Sequence, residues 1–233
     1  MTSVSRAAAA AAVALAGLAA GAAHAATFVS FSSYQTALNP GEVLVTDFNG
    51  PAISVPAGFT AGGTAGVQTG TNSSGAAPAL SASTFDTSQY LSVGAGETFT
   101  LTTPSLSEIS FYVGSLDPYN SITFTGDGGF SQSFTGGQLT AATTAADVAN
   151  GGRSAAASNG RYTFTFDKSV TAVMIASNSP AFEISNIGAV PAGDLALVPE
   201  PAAWALMLVG FGGLGAGLRA QRRSKVRFPA TAT

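Results

Sequence analysis

Residues 98–125 read TFTLTTPSLSEISFYVGSLDPYNSITFT and carry the clearest fold signal of the chain. Within this stretch, apolar side chains recur at every second position and are separated mainly by Ser, Thr and Tyr. The apolar positions are Phe99, Leu101, Ile109, Phe111, Val113, Ile122 and Phe124. Such a period of two is typical of antiparallel strands with one face buried and one face polar. The stretch therefore predicts the centre of an all-β domain.

Further strands are predicted on both sides of this centre, at residues 27–31, 42–47, 130–134, 162–166, 170–176 and 181–190. Turn signals separate them at residues 39–41, 49–51 and 126–129 and at Asp167-Lys168. Residues 61–83 and 141–160 are predicted as polar loops, the first with room for one weak strand and the second with one helical turn near 145–149. Eight to eleven strands without a long helix indicate an antiparallel, jelly-roll-like β-sandwich over residues 26–190.

The N-terminus, residues 1–25, has the features of a secretory signal peptide. Arg6 precedes an apolar run rich in Ala, Val and Leu, and Ala23-His24-Ala25 provides the small residues of a cleavage site. Export through the Sec translocon and cleavage by signal peptidase after Ala25 are therefore expected. His24 is the one histidine of the chain, so the mature protein is predicted to have none.

The C-terminus has three parts in a fixed order: a Pro-Glu-Pro motif, an apolar segment and a basic cluster. The motif residues are Pro199, Glu200, Pro201, Trp204 and Ala205, and the basic residues are Arg219, Arg222, Arg223, Lys225 and Arg227. Residues 202–218 are uncharged, and as a helix they would span about 26 Å, enough for a bilayer core. The basic flank predicts a cytoplasmic tail. A linker at 191–198, this signal at 199–227 and a tail at 228–233 complete the predicted organisation.

This order of motif, short Gly-rich apolar helix and arginine tail resembles the PEP-CTERM sorting signal, in its PEPxxWA variant, of Gram-negative bacteria. The resemblance implies recognition by an exosortase, a membrane transpeptidase that removes the tail. The protein would then stay only transiently in the inner membrane before it reaches the cell surface or the extracellular matrix. The alternative is a permanent anchor helix, since an interfacial Trp and a basic stop signal need no sorting enzyme.

The domain itself resembles exosortase-dependent surface proteins over residues 97–189. The segments that carry this second likeness are residues 111–120, FYVGSLDPYN, and 181–187, AFEISNI. The final strand is also similar to the last strand of many carbohydrate-binding jelly rolls. The likeness implies fold and location, and no particular chemistry.

Composition excludes several classes of function. Between residues 26 and 198 the chain has three basic and eleven acidic residues, which argues against a nucleic-acid partner. The absence of cysteine excludes disulfides and thiol nucleophiles. Without a mature histidine, a serine nucleophile would need Lys168, the one lysine of the domain, as its base. We therefore expect no enzyme of these types and no cofactor.

The carboxylate side chains of the domain are compatible with two kinds of functional site. A glycoside hydrolase needs only two of them, and the candidates are Asp47, Glu97, Glu108, Asp117, Asp127 and Glu183. A calcium ion takes oxygen ligands from loops, and Asp47 and Glu183 would meet if the first and last strands pair. The alternative is that Asp47 begins a turn and Glu183 points to the polar face of its strand.

Asp117-Pro118-Tyr119-Asn120 also has two interpretations. Asp followed by Pro is typical of the first two positions of a β-turn, while Asp117, Tyr119 and Asn120 could also form a ligand loop with Tyr119 exposed for sugar stacking. The resemblance to exosortase-sorted proteins implies a structural or adhesive protein of an exopolysaccharide matrix. A carbohydrate-binding module that depends on Tyr119 or Tyr112 is the first alternative, and a hydrolase with two carboxylates is the second.

Overall fold

The computed structural model describes residues 27–142 and 151–193, together with Phe211 and Arg219. Its described part is antiparallel β-structure with very little helix, which confirms the predicted fold class. The strands are β1 (Thr27–Ser33), β2 (Val43–Thr46), β3 (Thr60–Gly63), β4 (Gly66–Thr69), β5 (Gln89–Val93), β6 (Thr98–Gly114), β7 (Asn120–Gly126), β8 (Ser131–Thr135), β9 (Gly160–Ser177) and β10 (Phe182–Pro191). A 3₁₀ turn at Asp127–Gly129 joins β7 to β8, and helix α1 (Gly136–Ala142) follows β8.

The predicted centre of the domain forms the long strand β6, over residues 98–114, and most of β7. The first part of β6 pairs with β3 and its second part pairs with β10. The pairing of β6 with β9 shifts register between Thr102 and Leu106, around Pro104. Proline has no N–H for the ladder and is confined to such irregular points. The strand therefore continues through the proline and changes its neighbour there.

Strand β9 behaves in the same way, and the turn predicted at Asp167-Lys168 is wrong. Both residues lie inside the continuous strand and are exposed. Residues of β9 up to Phe166 pair with β1, and residues from Val170 onward pair with β7. The polar dipeptide therefore marks the exposed point at which the strand changes its neighbour. In the sequence, such a point has the same polar residues as a turn.

The change of neighbours in β6 and β9 divides the strands into two groups whose apolar faces pack together. Phe124 of β7 lies 4.7 Å from Phe164 of β9 between ring centroids, and Phe134 of β8 lies 5.6 Å from the same ring. Phe48, after β2, contacts Phe99 of β6 edge to face at 6.0 Å. This arrangement is consistent with a β-sandwich, whose core is stabilised by burial of these aromatic rings.

The outer face of the sheet around β10 is covered, contrary to the predicted alternation. Glu183 and Ser185 are only 2 % and 7 % exposed, so β10 is buried on both faces over most of its length. The cover is the segment between β4 and β5, residues 70–88. The sequence predicted this region as part of a long loop with one weak strand, and the structure adds two short strands, β3 and β4, before it.

Several predictions fall outside the described residues. These are the signal peptide with Ala23 and Ala25, the helical turn near 145–149, and the C-terminal motif with its apolar segment and, apart from Arg219, its basic cluster. Within the ranges 27–142 and 151–193, no helix is long and apolar enough to cross a membrane.

Candidate ligand-binding pocket

The segment between β6 and β7 forms the β-turn that its sequence predicts. The Asn120 N–H donates to the Asp117 carbonyl at 3.1 Å, and the Asn120 Oδ1 accepts from the Asp117 N–H at 2.6 Å. Asn120 is fully buried, and its Nδ2 donates to Ser177 Oγ at 3.0 Å. Asn120 therefore fixes the turn to the end of β9 and does not face a ligand.

A cavity of about 360 Å³ lies beside this turn, and we call it the Asp117 pocket. Four segments that are distant in sequence meet there: residues 72–76, the 115–119 turn, residues 151–153 and the 180–183 segment. The lining residues are Asn72, Ser73, Gly75, Ala76, Ser115, Asp117, Tyr119, Gly151, Arg153, Pro180, Ala181 and Glu183. The structure thus brings the predicted ligand turn and Glu183 into one pocket.

Tyr119 forms a fixed wall of the pocket rather than a freely exposed platform. Its hydroxyl donates to Asp117 Oδ2 at 2.7 Å and also lies 3.1 Å from the Pro180 carbonyl oxygen. Burial, followed by the hydrogen bond to Asp117, raises the pKa of Tyr119 to about 12. The ring is half-buried, so any stacking on it uses one preset orientation.

Asp117 is a partly buried carboxylate at the side of the pocket. Burial raises its pKa above the usual range, while the hydrogen bond from Tyr119 acts in the opposite direction. Gly151 packs against it so closely that a Cβ there would lie 2.3 Å from Asp117 Oδ1, and its φ of +67° favours glycine independently. Glycine at 151 therefore allows the 151–153 segment to close on the Asp117 carboxyl.

Glu183 forms the floor of the pocket. Its Oε1 accepts the Ala76 N–H at 2.8 Å, and its Oε2 accepts the Ser115 hydroxyl at 3.2 Å. Burial raises the pKa of Glu183 to about 7, with a smaller contribution from the charge of Asp117, although both hydrogen bonds lower it. Glu183 therefore changes charge near neutral pH while it holds two lining segments together.

Arg153 brings a positive charge to the rim. Its guanidinium lies 5.2 Å from the centroid of the Phe85 ring, and its Nη2 donates to Thr71 Oγ1 at 3.1 Å. A cation over an aromatic face is held by the ring quadrupole. The side chain is exposed, yet these two contacts orient it at the pocket.

The buried side chain of Asn159 holds several pocket segments together, a role that the sequence did not predict. Its Oδ1 accepts the N–H groups of Ala79 and Ser115, both at 3.1 Å. Its Nδ2 donates to the carbonyls of Gly152 and Ala155, both at 3.0 Å. One fully buried amide thus connects three segments around the pocket. In the sequence, Asn159 is followed by Gly160, and an Asn-Gly pair indicates only a turn.

Side chains from the sheet also fasten the covering segment 70–88. Tyr90 Oη donates to the Gly70 carbonyl at 2.6 Å, Ser92 Oγ donates to the Ser74 carbonyl at 2.7 Å, and Tyr112 Oη donates to the Ala79 carbonyl. Tyr112 is fully buried, so it cannot stack on a ligand as the sequence had suggested. Its role is to hold the cover.

The structure does not bring Asp47 and Glu183 together. Strand β2 does pair with the last strand, β10, but Thr46 lies opposite Ile187, four residues or roughly 13 Å along the strand from Glu183. Asp47 Oδ1 instead accepts the Asn49 N–H at 3.0 Å, which is the turn interpretation. No group of three or more metal-ligating side chains occurs within the described ranges. Calcium binding stays a prediction.

Comparison with known proteins bears on the C-terminus. Residues 197–223 match the family model described as the PEP-CTERM protein-sorting motif. The chain carries a PEP-CTERM sorting motif. This motif indicates an exported protein that is directed to the cell surface and sorted by an exosortase, as the sequence predicted.

The comparisons add little on the domain that carries this PEP-CTERM motif. No curated protein matches the chain. Among solved structures, a chain described as CpGH89CBM32-6 from Clostridium perfringens is similar at 15 % identity, with a TM-score of 0.32. The match covers 59 % of this chain and 96 % of that one. A TM-score this low supports no conclusion on ligand or activity.

Proposed function

We propose that the mature protein is a structural or adhesive component of an extracellular polysaccharide matrix and that it binds saccharide at the Asp117 pocket. The observation that carries the proposal is the convergence of fixed polar groups in one cavity of about 360 Å³. Ligand sites commonly combine such a volume with a few precisely held polar groups. The PEP-CTERM motif supports a location outside the cell, where such ligands occur.

The lining groups complement sugar hydroxyls, which both donate and accept hydrogen bonds. Asp117 supplies carboxylate acceptors, Arg153 supplies guanidinium donors, and the Asn72 amide supplies an additional donor. The Tyr119 ring adds an apolar face against which a pyranose can pack. A site with acceptors, donors and one aromatic wall fits a polyhydroxylated ligand better than an apolar one.

The route to this location follows from the two termini. We propose export by the Sec translocon, cleavage by signal peptidase after Ala25, and a transient inner-membrane stage held by residues 206–218. Exosortase recognition of the motif around Pro199, Glu200 and Pro201 would then remove the basic tail. The released domain would retain the Asp117 pocket.

A hydrolase is the second candidate, because Asp117 and Glu183 line the same pocket. Two carboxyl groups that flank a sugar are the minimum for glycoside hydrolysis. Both oxygens of Glu183, however, already accept hydrogen bonds from Ala76 and Ser115. A general acid must present its proton to the leaving oxygen, and this arrangement favours a structural role for Glu183. We therefore propose binding without catalysis.

The test is titration of the purified protein with exopolysaccharide from the source cells and with a glycan array. We expect saturable binding that Arg153→Ala weakens by about tenfold or more, equivalent to about 1.4 kcal/mol, because it removes charged donors at the rim. Lys168→Ala is the matched control, since Lys168 is an exposed cation within β9 and does not line the pocket.

The glycan recovered after binding should be intact, and the appearance of new reducing ends would favour the hydrolase instead. Equal binding by Arg153→Ala and the native protein would contradict the site. The absence of binding to any glycan would contradict the proposed function and leave a purely structural protein.

A further inference from the structure

A second cavity of about 330 Å³ adjoins the Asp117 pocket, and we call it the Gln68 pocket. Ser73 and Pro180 line both cavities, so the two share a wall. The remaining lining residues of the second cavity are Thr64, Gly66, Gln68, Ser74, Ser92, Gly94, Ala95 and Glu97. The two cavities are therefore neighbours on one face of the domain.

A hydrogen bond runs between the two cavities. Asn72 Nδ2, on the lining of the Asp117 pocket, donates to Gln68 Oε1, on the lining of the Gln68 pocket, at 2.8 Å. Asn72 is itself held by the Ser74 N–H, which donates to its Oδ1 at 2.8 Å. The amide pair thus has a fixed geometry at the border, where it can present its remaining N–H groups to a ligand that crosses from one cavity to the other.

Small residues on the edge strand β4 and its neighbour β5 make the room in the Gln68 pocket. Gly66 lies opposite Ser92 in the antiparallel pairing, and side chains of paired residues project to the same face. A Cβ placed on Gly66 would meet no atom within 4 Å, and its φ is not in the left-handed region. The glycine therefore leaves space without being required by the backbone.

The two pockets differ in charge. The Asp117 pocket combines a guanidinium with carboxyl groups, whereas the Gln68 pocket is lined mainly by hydroxyl, amide and small side chains. Its carboxylate, Glu97, accepts the Gly94 N–H at 2.8 Å and is engaged in the local backbone. The second cavity thus suits an uncharged, hydroxyl-rich group.

We propose that the Gln68 pocket is a second subsite and that the two cavities bind successive disaccharide segments of one polysaccharide chain. This inference rests on the proposed function and specifies its ligand as an extended chain instead of a single terminal sugar. Each cavity alone lies near the lower end of the range for ligand sites, about 300 Å³, so a longer ligand needs both. The shared wall and the Gln68–Asn72 bond provide continuity along that chain.

The experiment compares Gly66→Ile with the native protein by titration with oligosaccharides of increasing length prepared from the source-cell exopolysaccharide. Isoleucine favours strands, fills the open space at position 66 and offers no aromatic face for a sugar. We expect affinity for hexasaccharides to fall by about tenfold, a loss of about 1.4 kcal/mol, and affinity for disaccharides to stay unchanged. Thr69→Val, on the same strand but outside both cavities, is the control.

Each outcome separates this inference from the proposed function. Unchanged hexasaccharide affinity in Gly66→Ile would overturn the second subsite. The weaker binding expected of Arg153→Ala would still support the proposed function in that case. An equal loss for disaccharides and hexasaccharides would also overturn it, because the two cavities would then act as one site. If Gly66→Ile melts below Thr69→Val, Ala95→Leu replaces it, because Ala95 lines the Gln68 pocket and not the Asp117 pocket, and the same dependence on length is expected. A native protein that binds oligosaccharides of no length would overturn the proposed function itself.

Discussion

At the scale of single residues, the buried polar side chains decide how the pocket is built. Glu183 occupies an ordinary polar position in a strand, yet the covering segment buries it and two donors fix its carboxyl. Asn159 uses all of its amide hydrogen-bonding groups to join backbone segments from three parts of the chain. Buried polar groups of this kind are costly unless they are fully paired, so their loss affects the whole site.

Glu183→Gln should remove a pH dependence of stability. The folded state raises the pKa of Glu183 from 4.5 to about 7, so the protonated carboxyl is favoured on folding. This contribution is fully present below pH 4.5 and is lost as the pH rises through about 7, a change on the order of 3 kcal/mol. Glutamine keeps an acceptor for Ala76, and the Ser115 hydroxyl can accept from its amide. Denaturant unfolding between pH 4 and pH 8, run on both proteins, measures the difference.

The control for this change is Asp127→Asn, which removes an exposed carboxylate in the β7–β8 turn. The free energy of unfolding of Glu183→Gln should exceed that of the native protein at pH 8 and not at pH 4. Parallel pH profiles of stability for the native protein and Glu183→Gln would contradict this prediction. They would show that Glu183 is ionised to the same extent in the folded and the unfolded state.

At the scale of elements, the fold depends on two strands that each serve both sheet groups. Strands β6 and β9 pair with each other along most of their length and exchange outer neighbours midway. At the exchange point in β9, Gly126 of β7 approaches the backbone so closely that a Cβ would lie 1.9 Å from the Ser169 carbonyl oxygen. No flexible side chain is available there to move aside.

Gly126→Ala should therefore destabilise the domain by about 1–3 kcal/mol, because the added methyl group must push two paired strands apart. Gly137→Ala is a matched control, since a Cβ there meets only Thr135 Oγ1, at 4.0 Å. Thermal and denaturant unfolding of both variants measures the cost. Equal stability of the two would mean that β7 and β9 do not approach each other as described.

At the scale of the whole molecule, the PEP-CTERM motif directs the protein to the cell surface, and the β-domain carries the two pockets proposed to bind saccharide. The two functions are separable, because every residue that lines the Asp117 and Gln68 pockets lies between residues 64 and 183. The motif matches residues 197–223. Changes to the motif should therefore alter location and leave ligand binding intact.

Replacement of Glu200 and Pro201 by alanine should leave the full-length precursor in the membrane fraction. Pro229→Ala, beyond the matched motif, is the control. Intact mass of the protein from membrane and medium measures the outcome. A native species that begins near Ala26 and ends near the Pro-Glu-Pro motif is expected in the medium, and normal release of the double variant would contradict exosortase recognition of these residues.

The sequence by itself determined the fold class, the position of most strands and the sorting motif. These features depend on local information: a period of two in side-chain polarity, turn residues such as Asp117-Pro118, and a short linear motif around Pro199. The same local information misplaced a turn at Asp167-Lys168, because a strand that changes neighbours at an exposed point has the polar signature of a loop.

Only the tertiary structure decided which polar positions are buried and which of them meet. Tyr112 and Glu183 alternate with apolar residues as solvent-facing positions do, and nothing local reveals that residues 70–88 cover them. The pocket joins segments that are up to 111 residues apart, from Asn72 to Glu183. Proximity of that kind depends on strand pairing and packing across the whole domain, so the pattern around any one residue cannot contain it.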